Sequence, residues 1–475
     1  MKKLITTLLI STMLASCSLV PDYKRPEVAA PGQWSNGEGR QETPRLAFDW
    51  WKSFGSDELN QLMAEGLNNN LDLKASFQRI EQSRASLTVA RSSLFPTLDA
   101  SADISRSKSL RDGGSSINQN ISGLGSSSRG DGDTNFNGGL QVSYELDLFG
   151  ANRSEIDSSR AALLSTKYQY DALALVVMGD VSQTYFNILS ARERLQIADQ
   201  NLKNAQEILR IVDARYQAGA ASGLEMAQQK SSLGSFEANR AAILQEITVY
   251  ENALAILLAK PPQTVPVAKQ DLNNLIIPGI APAQPSTLLT RRPDIASAEA
   301  DLIAANADIG AARAAFFPSI TLGAGVSAIA SPISSSMTSA LSTTSAILAP
   351  IFRGGALIGN LGITKARQLE LAETYRKTVL VAFQEVEDAL AAEKASAQRE
   401  LSFKTAMDEA QKAYDISMLR YKAGSIDFQT VIDSQNALLT AQQSYSLSRN
   451  ERLGAAISLF KALGGGWKSH QALKN

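Results

Sequence analysis

A five-residue motif occurs twice in this chain, and the distance between its copies constrains the fold more than any other sequence feature. Arg-Tyr-x-Ala-Gly is found at residues 215–219 and again at residues 420–424, a separation of 205 residues (420 − 215). In each copy a long helical pattern precedes the motif, its Gly permits a left-handed helix end, and a second helical pattern follows. The 475-residue chain is therefore an internal tandem repeat of helical hairpins, which overrides the roughly three domains that length alone favours.

The composition excludes several classes of function. Net charge is −1, from 46 basic and 47 acidic residues, so no basic surface for nucleic acid is predicted. One His and one Cys are too few for most metal sites, a His-dependent catalytic triad or a disulfide framework. We therefore expect no catalytic residues, no metal site and no cofactor, because an enzyme would have to work with carboxylates alone.

The N-terminus has the three parts of a secretory signal. Two lysines precede an apolar run that is too short to span a bilayer, and small residues then lead to Cys17. The sequence Leu-Ala-Ser-Cys resembles a lipobox, which implies cleavage before Cys17 and lipidation of its thiol; a signal peptide without a lipid is the alternative. Ser18 resembles lipoproteins that are sorted to the outer membrane of Gram-negative bacteria. We expect a signal peptide at 1–16 and a lipidated periplasmic segment at 17–56.

Two segments of the first copy, about 95–106 and 136–149, alternate apolar and polar residues as strands with one wet face do. Each is about ten residues long, the length that a tilted strand needs to cross a bilayer. No segment after the signal reaches the ~18 consecutive apolar residues of a spanning helix, so a membrane crossing has to use strands. A soluble antiparallel sheet is the alternative.

The polar face carries the acids Asp99, Asp103, Glu145 and Asp147. If this face lines a lumen, the pore favours cations.

Long helices follow the strands. From Ala151 an a/d pattern of apolar and small residues continues for roughly 65 residues, which predicts a helix of roughly 95 Å that packs as in a coiled coil. Its return helix stops at the Pro-Pro pair 261–262. The first repeat thus covers 57–260. The second long helix is expected from about 363 to 421.

The second copy follows a Pro-rich connector at 261–286. It covers 287–463 and leaves a C-terminal tail at 464–475. Its strands are expected at about 317–330 and 340–352, joined by a shorter loop than in the first copy. Four strands per chain cannot close a barrel, and an open edge in lipid leaves backbone groups unpaired. Eight strands enclose only side chains, so a conduit requires at least three chains and twelve strands.

Several motifs resemble the TolC-like outer-membrane factor family, in its lipoprotein subgroup. They are the lipobox followed by Pro-Asp-Tyr-Lys-Arg-Pro, Arg-Arg-Pro-Asp-Ile, Ala-Ala-Phe-Phe-Pro, the two Arg-Tyr-x-Ala-Gly motifs and Ala-Leu-Gly-Gly-Gly-Trp. The resemblance covers essentially the whole mature chain. It implies an α+β membrane protein in which three protomers, with four strands each, form a trimeric 12-stranded β-barrel. A long periplasmic α-helical coiled-coil barrel continues it.

The resemblance also implies a function. Such a homotrimer lies in outer-membrane lipid and docks a periplasmic adaptor (membrane fusion) protein and an inner-membrane RND-type transporter. It is the passive exit duct of a tripartite efflux pump for drugs or other small toxic solutes. A type I secretion duct is one alternative, and a structural coiled-coil lipoprotein that spans the envelope is another.

A gate at the periplasmic end is implied as well, at the second hairpin tip. The matching residues are Tyr421, Asp427, Gln429, Thr430 and Asp433. Asp433 falls at the family's acidic ring, and a solvated hairpin carboxylate is the alternative for it. The residues expected to dock the adaptor or pump are Arg215, Gly219, Arg420 and Gly424. For the two arginines, capping of a helix end is the alternative.

Overall fold

The computed structural model describes residues 19–36, 48–107, 133–262, 264, 270–280, 284–331 and 336–467. The predicted signal peptide and Cys17 lie outside the described residues. The described helices are α1 (Asp57–Asn69), α2 (Leu71–Ser92), α3 (Ala151–Gln217), α4 (Gly223–Leu257), α5 (Pro293–Ala314), α6 (Ala356–Lys422) and α7 (Phe428–Ala462). The described strands are β1 (Thr97–Ser107), β2 (Asp133–Leu146), β3 (Ser319–Ser331) and β4 (Ser336–Leu348). Short 3-10 turns lie at Trp50–Phe54, Leu272–Asn274 and Pro285–Thr290.

Helices at equivalent places in the two copies have equal lengths. α2 and α5 have 22 residues each, α3 and α6 have 67, and α4 and α7 have 35. At 1.5 Å per residue, the longest pair extend about 100 Å. The equal lengths confirm the predicted internal repeat, and the helices together with the four described strands confirm the α+β class.

The chain divides into two compact units, and one of them contains the sheet, with Ser83–Leu163 and Leu302–Glu370. The strands form an antiparallel meander in the order β1-β2-β3-β4. Ala100 lies opposite Leu140, which in turn lies opposite Val326. Because side chains alternate along each strand, this register places the apolar residues of neighbouring strands on one face and the polar residues on the other.

Two strands differ from the prediction in where they begin or end. β2 ends at Leu146 rather than near 149, and β4 spans Ser336–Leu348 rather than 340–352. Pro350 lies two residues after β4 and has no N–H group for a further ladder bond. The small uncharged residues of β4 alternate weakly, so the sequence pattern did not mark where the strand begins.

Helix boundaries differ as well. Helical periodicity from about 57 to 94 predicts a single helix, but the structure has two, because the side-chain oxygen of Asn70 caps α2 by accepting two of its first N–H groups. α6 begins at Ala356 rather than near 363. Residues 354–355 are glycines with φ of 57° and 85°, and they form the turn that precedes it.

The other unit contains Arg25–Gln82, Leu164–Asp301 and the chain from Leu371 onward, and its core is rich in aromatic rings. Trp50 stacks on Phe460 with ring centroids 4.9 Å apart, and Phe54 contacts Phe186 edge to face at 5.1 Å. These rings join the N-terminal segment to α3 and α7. One 18-residue window of α3 is apolar enough to cross a membrane, but 56% of it is buried, as in a core helix.

Candidate functional site

Both copies of Arg-Tyr-x-Ala-Gly end a long helix with the same backbone turn. Gly219 and Gly424 have φ of 71° and 72°, a left-handed conformation that costs other residues about 1 kcal/mol or more. Each Gly N–H donates to the carbonyl of the motif Tyr, and the next N–H donates to the carbonyl of the motif Arg, at 2.8 Å in the first copy and 2.9 Å in the second. This pair of bonds is a Schellman motif. The repeated sequence therefore specifies the same turn twice.

The two return helices begin with different caps. Ser222 accepts the Glu225 N–H at 3.2 Å while the Glu225 carboxylate accepts the Ser222 N–H, which is a capping box. Asp427 accepts the hydroxyl and the N–H of Thr430, at 2.6 and 2.9 Å. These bonds, first the one from the hydroxyl, hold the pKa of the exposed Asp427 carboxyl below its usual range.

Tyr421, the motif Tyr of the second copy, is buried against the first copy. Its side chain is 3% exposed, and its hydroxyl donates to the Glu225 carboxylate at 3.2 Å. The guanidinium of Arg215 lies 4.7 Å from the centre of the Tyr421 ring, and it also donates to the Tyr421 carbonyl at 3.5 Å. Burial raises the pKa of the Tyr421 phenol, so the hydroxyl keeps the proton that it donates.

A second polar contact between the copies is exposed to solvent. The side-chain amide of Gln228 donates to Gln429 at 2.9 Å, and the amide of Gln429 donates to the Asp433 carboxylate at 2.8 Å. Two amides thus connect Asp433 on α7 with α4. Because water competes for these groups, each bond contributes at the low end of the ~0.5–1.5 kcal/mol range.

An apolar cluster, which we name the tip cluster, joins α3 of the first copy to α6 and α7 of the second. Its buried members are Ile208, Val212, Tyr421, Phe428, Val431 and Ile432. The rings of Tyr421 and Phe428 lie 5.2 Å apart. Full burial of a large apolar side chain contributes about 1.5–3 kcal/mol, more than a single exposed hydrogen bond. The tip cluster is therefore the stronger part of the contact between the hairpins.

The structure brings together some of the predicted gate residues and separates others. Tyr421 and Gln429 contact the first copy directly, and Asp433 contacts it through Gln429. Asp427 and Thr430 bond to each other as a helix cap. Of the residues expected to dock a partner, Arg215 is half-buried between the tips, whereas Gly219, Arg420 and Gly424 are exposed.

Two residues of the first tip that contact the second copy were missed by the sequence reasoning. Glu225 accepts the hydroxyl of Tyr421, and Gln228 begins the amide contact to Asp433. The repeat itself held the signal. Glu225 and Gln228 lie 205 residues before Thr430 and Asp433 (430 − 225 and 433 − 228), so they are their counterparts in the first copy.

The acids predicted on the polar strand face fall into two environments. Asp99, Asp103 and Glu145 lie within β1 and β2, and Asn137 donates to Asp103 at 2.8 Å. Asp147 lies beyond β2, with a side chain only 7% exposed. It accepts two N–H groups at the start of α3, which makes it a helix-terminal residue and not part of the strand face. Among the described residues, no group of three or more His, Cys, Asp or Glu side chains could hold a metal ion.

Known proteins match this chain over nearly its whole length. It is 37% identical over 460 residues to the pyoverdine export outer membrane protein OpmQ of Pseudomonas aeruginosa, covering 96% of this chain and 95% of OpmQ. It is 33% identical over 474 residues to the solvent efflux pump outer membrane protein SrpC of Pseudomonas putida, covering 97% of each. The crystal structure of the open state of the MtrE outer membrane channel of Neisseria gonorrhoeae matches with a TM-score of 0.81 and 29% identity, covering 95% of this chain and 99% of that one.

A family model agrees with these matches. The model for outer membrane efflux proteins matches residues 62–260 and 284–465, which include the described strands and both hairpin tips. This agreement confirms the family that the motifs predicted. The chain therefore belongs to the outer membrane efflux protein family and is an outer-membrane exit duct for efflux rather than an enzyme.

Proposed function

We propose that three copies of this chain close a twelve-stranded barrel in the outer membrane. The observation that carries this proposal is the sheet, whose strands of 11 to 14 residues are long enough to cross a bilayer. The large apolar side chains on one face are exposed: Leu98, Ile104, Phe136, Leu140, Val326, Met337, Leu341 and Ile347. β1 and β4 form the two edges of the sheet. In lipid these edges have to pair with neighbouring copies, because unpaired backbone groups are too costly there.

The polar face then lines the lumen. Its acids, Asp99, Asp103 and Glu145, lie on β1 and β2, whereas β3 and β4 contain no charged residue. A lumen with this charge attracts cations. Reversal potentials in a salt gradient across a planar bilayer test the proposal, and preference for anions would contradict it.

We propose that the duct serves a tripartite pump for small solutes, with a periplasmic adaptor and an inner-membrane RND-type transporter as partners. Support comes from relatives of full length that are named for pyoverdine export and for solvent efflux. Those cargoes are small molecules, which favours efflux over type I secretion of proteins. Since the cargoes of the relatives differ, the pump rather than the duct selects the solute.

We further propose that the hairpin tips are the periplasmic gate and that the contacts between the tips hold it closed. Tyr421 with Glu225 and Arg215, the amide chain to Asp433, and the tip cluster all join α6 and α7 to the first hairpin. Opening by rotation of one hairpin away from the other has to break all three. Docking of an adaptor or pump on the exposed turns at Gly219 and Gly424 would supply the energy.

The anchor is a separate proposal. Cys17 is the chain's one cysteine and ends a lipobox-like sequence, so we propose that it is cleaved and lipidated. Mass spectrometry of the mature N-terminal peptide tests this. A diacylglyceryl and acyl modification at Cys17 is expected, and an unmodified mature N-terminus would contradict the proposal.

Single-channel recording of the purified protein in planar bilayers tests the duct and its gate together. We expect a small, flickering wild-type current that increases markedly in Asp433→Ala, because this substitution removes the carboxylate proposed to form the acidic ring at the constriction as well as the acceptor of the amide chain. Asp427→Ala serves as the comparison, since Asp427 caps its own helix and is expected to change the current less. Absence of current from folded protein in all variants would contradict the duct. A large current that neither substitution changes would keep the duct and contradict the gate.

A further inference from the structure

A shallow groove of about 450 Å³ crosses the apolar face of the sheet near the end of β1. Its floor is one rung of three small residues, Ala102, Gly138 and Ala328, which lie opposite one another on β1, β2 and β3. Ile104 and Phe136 form one wall and are 69% and 45% exposed. The groove is therefore a depression where small side chains lie between two rungs that carry larger ones.

The exposure of the neighbouring rung and the space at the glycine show that the groove is open. On the next rung, Leu140 and Val326 are 54% and 51% exposed. A Cβ built on Gly138 would meet no atom within 4 Å. A larger residue at 138 would thus fit without displacing the sheet, so the small rung is not required for close packing within the chain.

A cation closes one end of the same face. Arg106 follows Ile104 by two residues on β1, so it points to the apolar face, and it is exposed. The eight steps from Leu98 to Arg106 span about 26 Å at ~3.3 Å per residue, close to the ~25 Å height of the apolar band of a membrane barrel. Arg106 therefore lies at the level of lipid headgroups, at the strand ends opposite those that connect to α2 and α3.

We propose that this groove holds an acyl chain of a phosphate-bearing lipid of the outer leaflet and that Arg106 binds its phosphate. The proposal rests on the proposed barrel, in which this face contacts lipid. The groove lies on the face of β1, β2 and β3, whereas copies pair in the plane of the sheet through the edges of β1 and β4, so a neighbouring copy does not cover the groove. An apolar trough that ends at a guanidinium matches an acyl chain that ends at a phosphate.

Native mass spectrometry of the full-length trimer in detergent, titrated with lipid A, tests the site. The wild type should retain lipid A in preference to zwitterionic phosphatidylcholine. Arg106→Gln should weaken retention of lipid A about fivefold, the effect of one cationic side chain at a membrane surface, and Arg106→Lys should restore most of it. Gly138→Leu fills the groove and should weaken retention about fourfold, as for the loss of roughly one methylene contact.

A matched control separates the groove from the face in general. Ala324→Leu places the same side chain at an exposed position on the same face, opposite Val142, and should leave retention unchanged. Equal retention by wild type, Arg106→Gln and Gly138→Leu would overturn the proposal, as would equal retention of phosphatidylcholine. Retention of phosphatidylglycerol as strong as that of lipid A would overturn the assignment to the outer leaflet. Normal conductance with no lipid preference would leave the duct standing, whereas no conductance would contradict the duct itself.

Discussion

The two hairpin tips share a motif and a backbone turn, yet their motif tyrosines have opposite environments. Tyr216 is 46% exposed, whereas Tyr421 is 3% exposed. The difference arises because Arg215 and Glu225, both of the first copy, contact Tyr421 of the second. A repeat that is symmetric in its turns is thus asymmetric in its side-chain contacts. The first tip supplies the partners and the second supplies the buried group.

This asymmetry assigns unequal energies to equivalent positions. Burial of the Tyr421 ring in the tip cluster contributes about 1.5–3 kcal/mol, its hydrogen bond to Glu225 about 1 kcal/mol, and an exposed amide bond about 0.5 kcal/mol. Substitutions at paired positions of the two tips measure these contributions separately. The same change should be costly in one copy and nearly silent in the other.

The largest difference in stability is expected between the variants Tyr421→Ala and Tyr216→Ala. Truncation of a large buried aromatic residue costs about 3–5 kcal/mol, whereas truncation of a half-exposed one changes stability by about 0.5 kcal/mol or less. Hydrogen exchange at the tip amides measures the free energy of local opening. Tyr421→Ala should lose nearly all protection there and conduct continuously in a bilayer. Equal losses in the two variants would show that the tips are equivalent and would remove the basis for a gate at the second one.

A smaller effect separates the hydroxyl from the ring. Tyr421→Phe keeps the ring in the tip cluster and removes only the bond to Glu225. We expect a loss of about 1 kcal/mol, which raises the ratio of open to closed channels about fivefold. Tyr216→Phe is the matched control and should change neither ratio nor stability. If Tyr421→Phe conducts like the wild type, the ring alone closes the contact.

The exposed amide chain should matter least among the contacts between copies. Gln228→Ala removes the donor to Gln429, and the expected cost of about 0.5 kcal/mol increases the open fraction about twofold. Leu224→Ala is the control, because Leu224 is the first-copy counterpart of Gln429 (429 − 205 = 224) and is 67% exposed. An increase in the open fraction as large as that of Tyr421→Phe would mean that the amides, not the tyrosine hydroxyl, dominate the polar contacts between the tips.

The sequence predicted the parts of this site that depend on local structure. The turns at Gly219 and Gly424 follow from a helical pattern that ends in Ala-Gly, and both have the expected positive φ. The burial of Tyr421 could not be predicted in the same way, because Arg215 lies 206 residues away from it and only the packing of two hairpins brings them together. The identical motif gave no sign that one Tyr is buried and the other exposed.

Local competition explains two further differences. Asp147 was interpreted as an acid of a lumen from its place in the strand pattern, and Asp427 as a residue of a gate from the resemblance to the family. Each lies just before a long helix, where unsatisfied N–H groups attract a carboxylate, and each forms that local bond. A search for capping positions before any assignment of function would have identified both.

The caps also predict a small dependence on pH that distinguishes the tips. The pKa of Asp427 is lowered by its bonds from Thr430, so the charged cap stabilises α7 above the ordinary pKa of 3.8. This contribution to stability is lost as pH falls through the pKa that Asp427 has in the folded protein, which is the lower one. At the first tip the acceptor of the corresponding N–H, that of Glu225, is the Ser222 hydroxyl, which does not titrate in this range. Hydrogen exchange between pH 5 and pH 2.5 should show that the Thr430 amide is still protected from exchange at about pH 3.8 and loses this protection only at lower pH. Asp427→Ser should remove this acid transition. Loss of protection well above pH 3.8 would mean that the carboxylate does not stabilise the cap, and the two tips would then differ only in the contacts of Tyr421.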